Sequence, residues 1–158
     1  LIVGNGAEYA ASTCYNFDII IVDSRDLIGP GTDLFSEKFY YNCRRCLGPN
    51  GVLVTQSGVP FVQTEEVRNS ASRPSQHFMD VAFYRASIPT YYGGGMAFGW
   101  ASDIRIFRTV SVAQLQDRFA RANIMTQYYS PEVHLAAFAI PPWISKIFQT
   151  NNSTTDSA

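Results

Sequence analysis

This 158-residue sequence is short of several things, and each shortage removes a class of function. Charge of one sign is missing: 12 Lys and Arg stand against 13 Asp and Glu, for a formal net charge of -1. Such a balance gives no basic surface to neutralise phosphates, so a nucleic-acid partner is not expected. No apolar run approaches the roughly 20 residues that cross a bilayer as a helix, so no membrane partner is expected either. Cysteine is scarce, with Cys14, Cys43 and Cys46 alone, too few for a secreted disulfide framework; a reducing, cytoplasmic compartment is the expectation. Only two histidines occur, His77 and His134, and neither is placed with a Ser or Cys in a pattern that suggests acyl transfer. No GxGxxG appears, and Gly4-Asn5-Gly6 is too short for a phosphate loop. The chain does not open on Met or on a signal-peptide pattern, and it starts inside an apolar segment. It therefore reads as a piece of a longer protein.

What is present suits one globular domain over residues 1–149, followed by a polar tail, TNNSTTDSA, expected to be disordered. Hydrophobic residues make up 46% and charged residues 16%, enough to build a core. Short apolar runs alternate with helical patterns, which predicts a parallel α/β sheet. Residues 1–3 read as the end of a strand, followed by a short helix at 7–12. Residues 17–23 (FDIIIVD) are continuously apolar up to the aspartate, the mark of a central strand buried on both faces. A loop at 24–33, broken by Gly29, Pro30 and Gly31, leads to a helix capped by Ser36 and ended by Gly48-Pro49-Asn50-Gly51. A strand at 52–56, a helix at 64–73, strands at 80–86 and 96–102, a helix at 111–122 and a last piece at 142–148 complete the expectation.

Asp23 and Asp26 are the most informative residues. Both follow the end of a parallel strand, where open α/β sheets bind ligands, and a turn after Asp23 lets both carboxylates face one cavity. Single aspartates in such places more often bond their own backbone; two, followed by a Gly/Pro loop, favour a receptor for a small organic cation. Gln56 closes the next strand and should emerge at the same edge. Ile88-Pro89-Thr90-Tyr91-Tyr92-Gly93-Gly94-Gly95 is either a flexible hairpin loop or a pocket wall where a tyrosine packs on a cation, worth roughly 0.5–2 kcal/mol. Cys43 and Cys46 form a CxxC, but within EKFYYNCRRCL they fall on ordinary helix positions with no second Cys/His pair, so no metal is expected. His77 is expected to be exposed, and His134, among apolar neighbours, to be a satisfied structural residue.

With these motifs in view, the sequence resembles the polyamine aminopropyltransferases, the spermidine synthase family. DIIIVDSRDLIGPGTDLF resembles that family's strand-and-loop signature, and VLVTQSGVPF, IPTYYGGGMAFGWASD and YYSPEVHLAAFAIP resemble three further blocks in the same order. QSGVPFVQTEE and IPTYYGG look like the bacterial branch. The resemblance spans nearly the whole chain, from Asn5 to about Phe148. It implies the C-terminal portion of a Rossmann-like, AdoMet-dependent methyltransferase-type α/β fold. It also implies transfer of an aminopropyl group from decarboxylated S-adenosylmethionine, a co-substrate rather than a cofactor, to putrescine, giving spermidine and 5′-methylthioadenosine.

By the same resemblance Asp23 is the proton acceptor, and Asp26 anchors the diamine. Ser24 and Arg25 lie between them in the amine-binding segment, with Gln56 and Tyr91 as further diamine contacts. Asn5 and Gly6 fall where the family contacts the adenine, and Pro30 covers the nucleoside. Asn5 stands where the family has Asp, and Leu27 where it has Pro. The family's donor-binding Gly-rich loop, acidic ribose ligand and N-terminal β-domain are not in this sequence, so the isolated piece is expected to be weakly active or inactive. A homo-oligomer, dimer or tetramer, is implied for the full-length protein. Two rivals remain: a small-molecule AdoMet methyltransferase on the same fold, and a non-catalytic polyamine-binding remnant or subunit.

Overall fold

A computed structural model describes residues 1–23, 32–90 and 94–149. Ser24, Arg25, Asp26 and Pro30, together with Tyr91 and the tail 150–158, lie outside the described residues. Four strands form one sheet: β1 (Phe17–Val22), β2 (Leu47–Gly58), β3 (Asp80–Ala86) and β4 (Met96–Ser102). Their order is β1-β2-β4-β3. β1 and β2 run parallel, Ile19 opposite Val52 through Val22 opposite Thr55. β4 runs antiparallel to both neighbours, so the sheet is mixed and not the expected parallel one. The connection at 87–95 is too short to carry the chain back along the sheet, which a parallel return from β3 would need.

Between β1 and β2 lies α2 (Glu37–Cys46), started by Ser36, whose Oγ accepts from the Phe39 N–H at 3.1 Å. Its buried residues Phe39, Tyr40, Cys43 and Cys46 recur at three- and four-residue steps and form one stripe. That stripe packs with Ala10 of α1 (Gly6–Ser12) and with Ile20, Val22 and Leu53 of the sheet. Fully burying side chains the size of Leu53 stabilises the fold by about 1.5–3 kcal/mol each. Arg45 fastens the two helices together, donating through Nη2 to the carbonyls of Ala10 and Ala11 at the C-terminal end of α1.

α3 (Thr64–Ser72) packs on this same side, with α6 (Pro142–Gln149) against it, where Phe148 stacks on Phe83 of β3 at 4.1 Å. Side chains alternate along each strand, so Val54, Tyr84 and Trp100 point to the opposite face. That face meets Phe138, at the end of α5 (Pro131–Ala137), with α4 (Val112–Ala122) packed on α5. Ser111 and Gln114 form a capping box that starts α4.

Several expectations need correction. Residues 1–3 are not a strand; a strand forms only where a neighbour supplies ladder hydrogen bonds, and none of the described strands pairs with them. β1 is not central among the described strands but stands at one edge, with Ile19 60% and Ile21 72% exposed. Its sequence is that of a strand covered on both faces, whereas its described surroundings cover only the face that carries Ile20 and Val22. The strand expected at 52–56 is longer, Leu47–Gly58: Leu47 already pairs with Phe17, and the register shifts between that pair and Ile19–Val52. The extra residues become an irregularity inside β2. α5 is a helix that the sequence expectation lacks, although Ser130 caps it and Pro131 occupies its first position.

Candidate active site

β1 hands over to Asp23 immediately after Val22, and Val22 lies opposite Thr55. The pairing ends there, so Asp23 and Gln56 each follow a member of the last parallel pair, Asp23 just outside the ladder. Gln56 is not the strand's last residue. β2 continues to Gly58 across a bulge, and Gln56 stays in the ladder opposite Phe98. A ladder position fixes its backbone more firmly than a loop would.

Asp23 also lines a cavity of about 430 Å³ between β1, α1 and α2. Gly6 lines the same cavity, which brings a predicted nucleoside contact and the predicted acid to one hollow. Tyr9, Leu34 and Phe39 make its walls largely apolar. Such a hollow suits a flat, weakly polar ring, with a carboxylate at its rim. A methyl at position 6 would rest in ordinary contact with Leu34 Cδ2, at 3.4 Å. Asn5 has a structural task here: its Oδ1 accepts from the N–H groups of Ala7 at 2.9 Å and Glu8 at 3.4 Å, capping α1. Asn and Asp cap about equally well, so asparagine in place of the family's aspartate leaves the helix start intact.

Residues without a local sequence signal shape the end of β2. Gly58 has φ +94°, a conformation that disfavours any side chain. Gln63 lies across it: Oε1 accepts from the Val59 N–H at 2.9 Å, and Nε2 donates to Glu66 Oε2 at 2.5 Å. This clamp holds the turn 59–63 that follows Gln56. The Gly inside QSGVP is a visible signal, whereas nothing in the sequence marks Gln63. Beyond Gln56 the row continues through Phe98 to Tyr84, whose rings stack at 5.2 Å. The roots of the connection bearing Tyr91 are held too, with Tyr128 Oη accepting from the Ser87 N–H at 3.2 Å.

Both cysteines of the CxxC lie on the buried stripe of α2. Burial pushes the Cys43 thiol up to about 12 and raises Cys46 as well, against the opposing effect of Arg45. No group of three or more His, Cys, Asp or Glu among the described residues is placed to hold a metal ion. His77 is not exposed as expected; its ring packs edge-on to Tyr41 at 5.8 Å and lies near Glu37. His134 is packed among rings as expected; its Nε2 is buried with no hydrogen-bond partner among the described residues, and burial lowers its pKa.

Comparison with known proteins gives a consistent picture. The spermine/spermidine synthase domain matches residues 1–110. A polyamine aminopropyltransferase of Klebsiella pneumoniae is 47% identical over 91% of this chain and 50% of its own length. Polyamine aminopropyltransferase 1 of Pseudomonas aeruginosa is 48% identical over the same shares. The chain therefore spans about half the length of the curated relatives it matches. Among solved structures, a spermidine synthase in complex with the transition-state analogue AdoDATO superposes with a TM-score of 0.84. It is 31% identical over 92% of this chain and 49% of its own. The spermidine synthase of Thermotoga maritima gives 0.79 at 29% identity, over 92% of this chain and 47% of that one. The fold is accordingly the methyltransferase-like α/β fold of these enzymes, in its C-terminal portion.

Proposed function

The chain belongs to the spermine/spermidine synthase family, and on that premise we propose that the intact protein transfers an aminopropyl group from decarboxylated S-adenosylmethionine to putrescine. What supports this reading is the position of Asp23 directly after β1, where it lines one hollow with Gly6. In this reading Asp23 accepts the proton, and Gln56 contacts the diamine. Gly6, with Asn5 beside it, borders the nucleoside. Asp26 as diamine anchor, Ser24, Arg25 and Tyr91 as further amine contacts, and Pro30 as the nucleoside cover rest on the family signature.

The chemistry asks for those parts. A primary ammonium has a pKa of about 10.4, so freeing its lone pair at pH 7 costs roughly 4–5 kcal/mol. Desolvation of the amine and the nearby positive sulfur both reduce that cost. Asp23 receives the proton as the lone pair forms a bond to the sulfonium-bound carbon. The carbon–sulfur bond breaks, and its electron pair stays on sulfur as neutral methylthioadenosine. The product leaves as a secondary ammonium. A neutral thioether is a good leaving group, so the step calls for no metal and no cofactor beyond the co-substrate. Most of the remaining acceleration comes from holding nitrogen, carbon and sulfur in line.

No described helix is long and apolar enough to cross a membrane. A cytoplasmic homo-oligomer acting on small molecules alone, without nucleic acid or membrane, fits the reading. The test is to incubate the intact protein and putrescine with each donor separately. Methylthioadenosine and spermidine should form from decarboxylated S-adenosylmethionine only. Consumption of S-adenosylmethionine alone would make the protein a methyltransferase. Putrescine binding without turnover of either donor would make it a non-catalytic remnant or subunit.

A further inference from the structure

Gln56 is held in the ladder of β2, and its partner across the sheet is Phe98 of β4. Residues opposite each other in an antiparallel pair share a face, with Cβ atoms about 4.5–5.5 Å apart. Phe98 is in turn opposite Tyr84 of β3, whose near-parallel ring stacks on it at 5.2 Å with the planes 14° apart. β3 lies beyond β4 from β2, so Tyr84 backs Phe98 on the side away from Gln56. Phe138, at the end of α5, braces Tyr84 in its turn, ring to ring at 5.6 Å. Phe98 itself is only half-buried.

Phe98 also stands two residues inside β4 from Met96, where the connection bearing Tyr91 returns to the sheet. Two of the amine contacts expected from the family signature, Gln56 and Tyr91, thus belong to segments that border Phe98 on two sides. A diamine carries an ammonium at each end and a chain of methylenes between them. Carboxylate and amide oxygens suit the ends. The methylenes gain nothing from such partners and ask for an apolar surface. Directly across from Gln56, the sheet offers that surface in the ring of Phe98.

From this placement we infer that Phe98, backed by Tyr84, is the wall along which the acceptor's carbon chain lies, and that it fixes the accepted length at four methylenes rather than five. The inference rests on the aminopropyl reading and adds a specificity-determining residue to it. A phenyl ring without support could turn aside for a longer chain. This one is stacked on Tyr84, and Tyr84 is packed on Phe138, so an added methylene meets a surface that does not yield.

The test is the ratio of kcat/KM for putrescine to that for cadaverine, its five-carbon homologue, measured on the intact protein with decarboxylated S-adenosylmethionine. An apolar site discriminates one methylene by roughly 10–200-fold, and the unmutated protein should favour putrescine within that range. Phe98→Ala should cut the ratio at least about fivefold and Phe98→Leu at least about twofold, because each opens room beside the chain. A purely structural role would lower kcat/KM for both diamines alike and leave the ratio as it was. That result in a folded Phe98→Ala overturns the inference, as does a ratio near one in the unmutated protein. If Phe98→Ala does not fold, Phe98→Leu decides by the same criterion. No transfer to either diamine by the unmutated protein is a different failure: it overturns the aminopropyl reading itself, and this inference falls with it.

Discussion

Replacing Gly58 by alanine tests whether the backbone at the end of β2 holds Gln56 in place. At φ +94° a Cβ is strained whatever its surroundings, a cost of about 1–3 kcal/mol. The added methyl would also sit 2.9 Å from Gln63 Oε1, the atom that accepts from the Val59 N–H. Pushing that amide aside loses a hydrogen bond worth about 0.5–1.5 kcal/mol. The expected loss of unfolding free energy is therefore about 1.5–4.5 kcal/mol, read from urea melts of the intact protein beside Gly4→Ala as control. A methyl on Gly4 would meet no heavy atom within 4 Å, and its φ is not positive, so its replacement should leave stability unchanged. Because Gly58 lies two residues after Gln56 in β2, KM for putrescine should rise in Gly58→Ala more than in Gly4→Ala. A Gly58→Ala protein of unchanged stability and unchanged KM would refute the clamp formed by Gly58 and Gln63.

Arg108 donates to both carboxylate oxygens of Asp80, at 3.0 and 2.6 Å, with Asp80 only 5% exposed; Arg108→Leu should cost about 3–5 kcal/mol by stranding that carboxylate, and Asp80→Asn added to it should restore part of the loss in denaturant melts. Of the three thiols, exposed Cys14 should react quickly with a disulfide reagent in the native protein, whereas Cys43, held near 12 by burial, and Cys46 should react only on unfolding. Burial lowers the His134 pKa, so the folded state binds this proton less readily than the unfolded chain; the contribution is present above the ordinary value of about 6.5 and lost as pH falls below it. His134→Gln should flatten the pH dependence of unfolding in that window, and an unchanged slope would contradict the buried, neutral imidazole.

Local signals in the sequence locate most elements. Ser36 and Ser111 start their helices through the side-chain bonds their positions foretell, and the apolar residues of α2 form the buried stripe that their spacing demands. Strand direction and strand order are not legible, because both are decided by which segments pair across long separations. FDIIIVD reads as a central strand and stands at the edge of the described sheet, since a strand's composition does not state its place in the order. Asp23 does follow directly on β1, whereas Gln56 sits inside β2, two residues before its end. Gln63 and Tyr128 escape notice because their roles arise from contacts that no local pattern announces.

The most direct test of the central claim pairs Asp23→Asn with Asp26→Asn in the intact protein and follows methylthioadenosine release from decarboxylated S-adenosylmethionine and putrescine. A positioned acid–base group contributes about 10²–10⁴-fold, so kcat of Asp23→Asn should fall by at least about a hundredfold. Asp26→Asn should raise KM for putrescine more than it lowers kcat. Turnover that is unchanged in Asp23→Asn would contradict Asp23 as the proton acceptor at the end of β1.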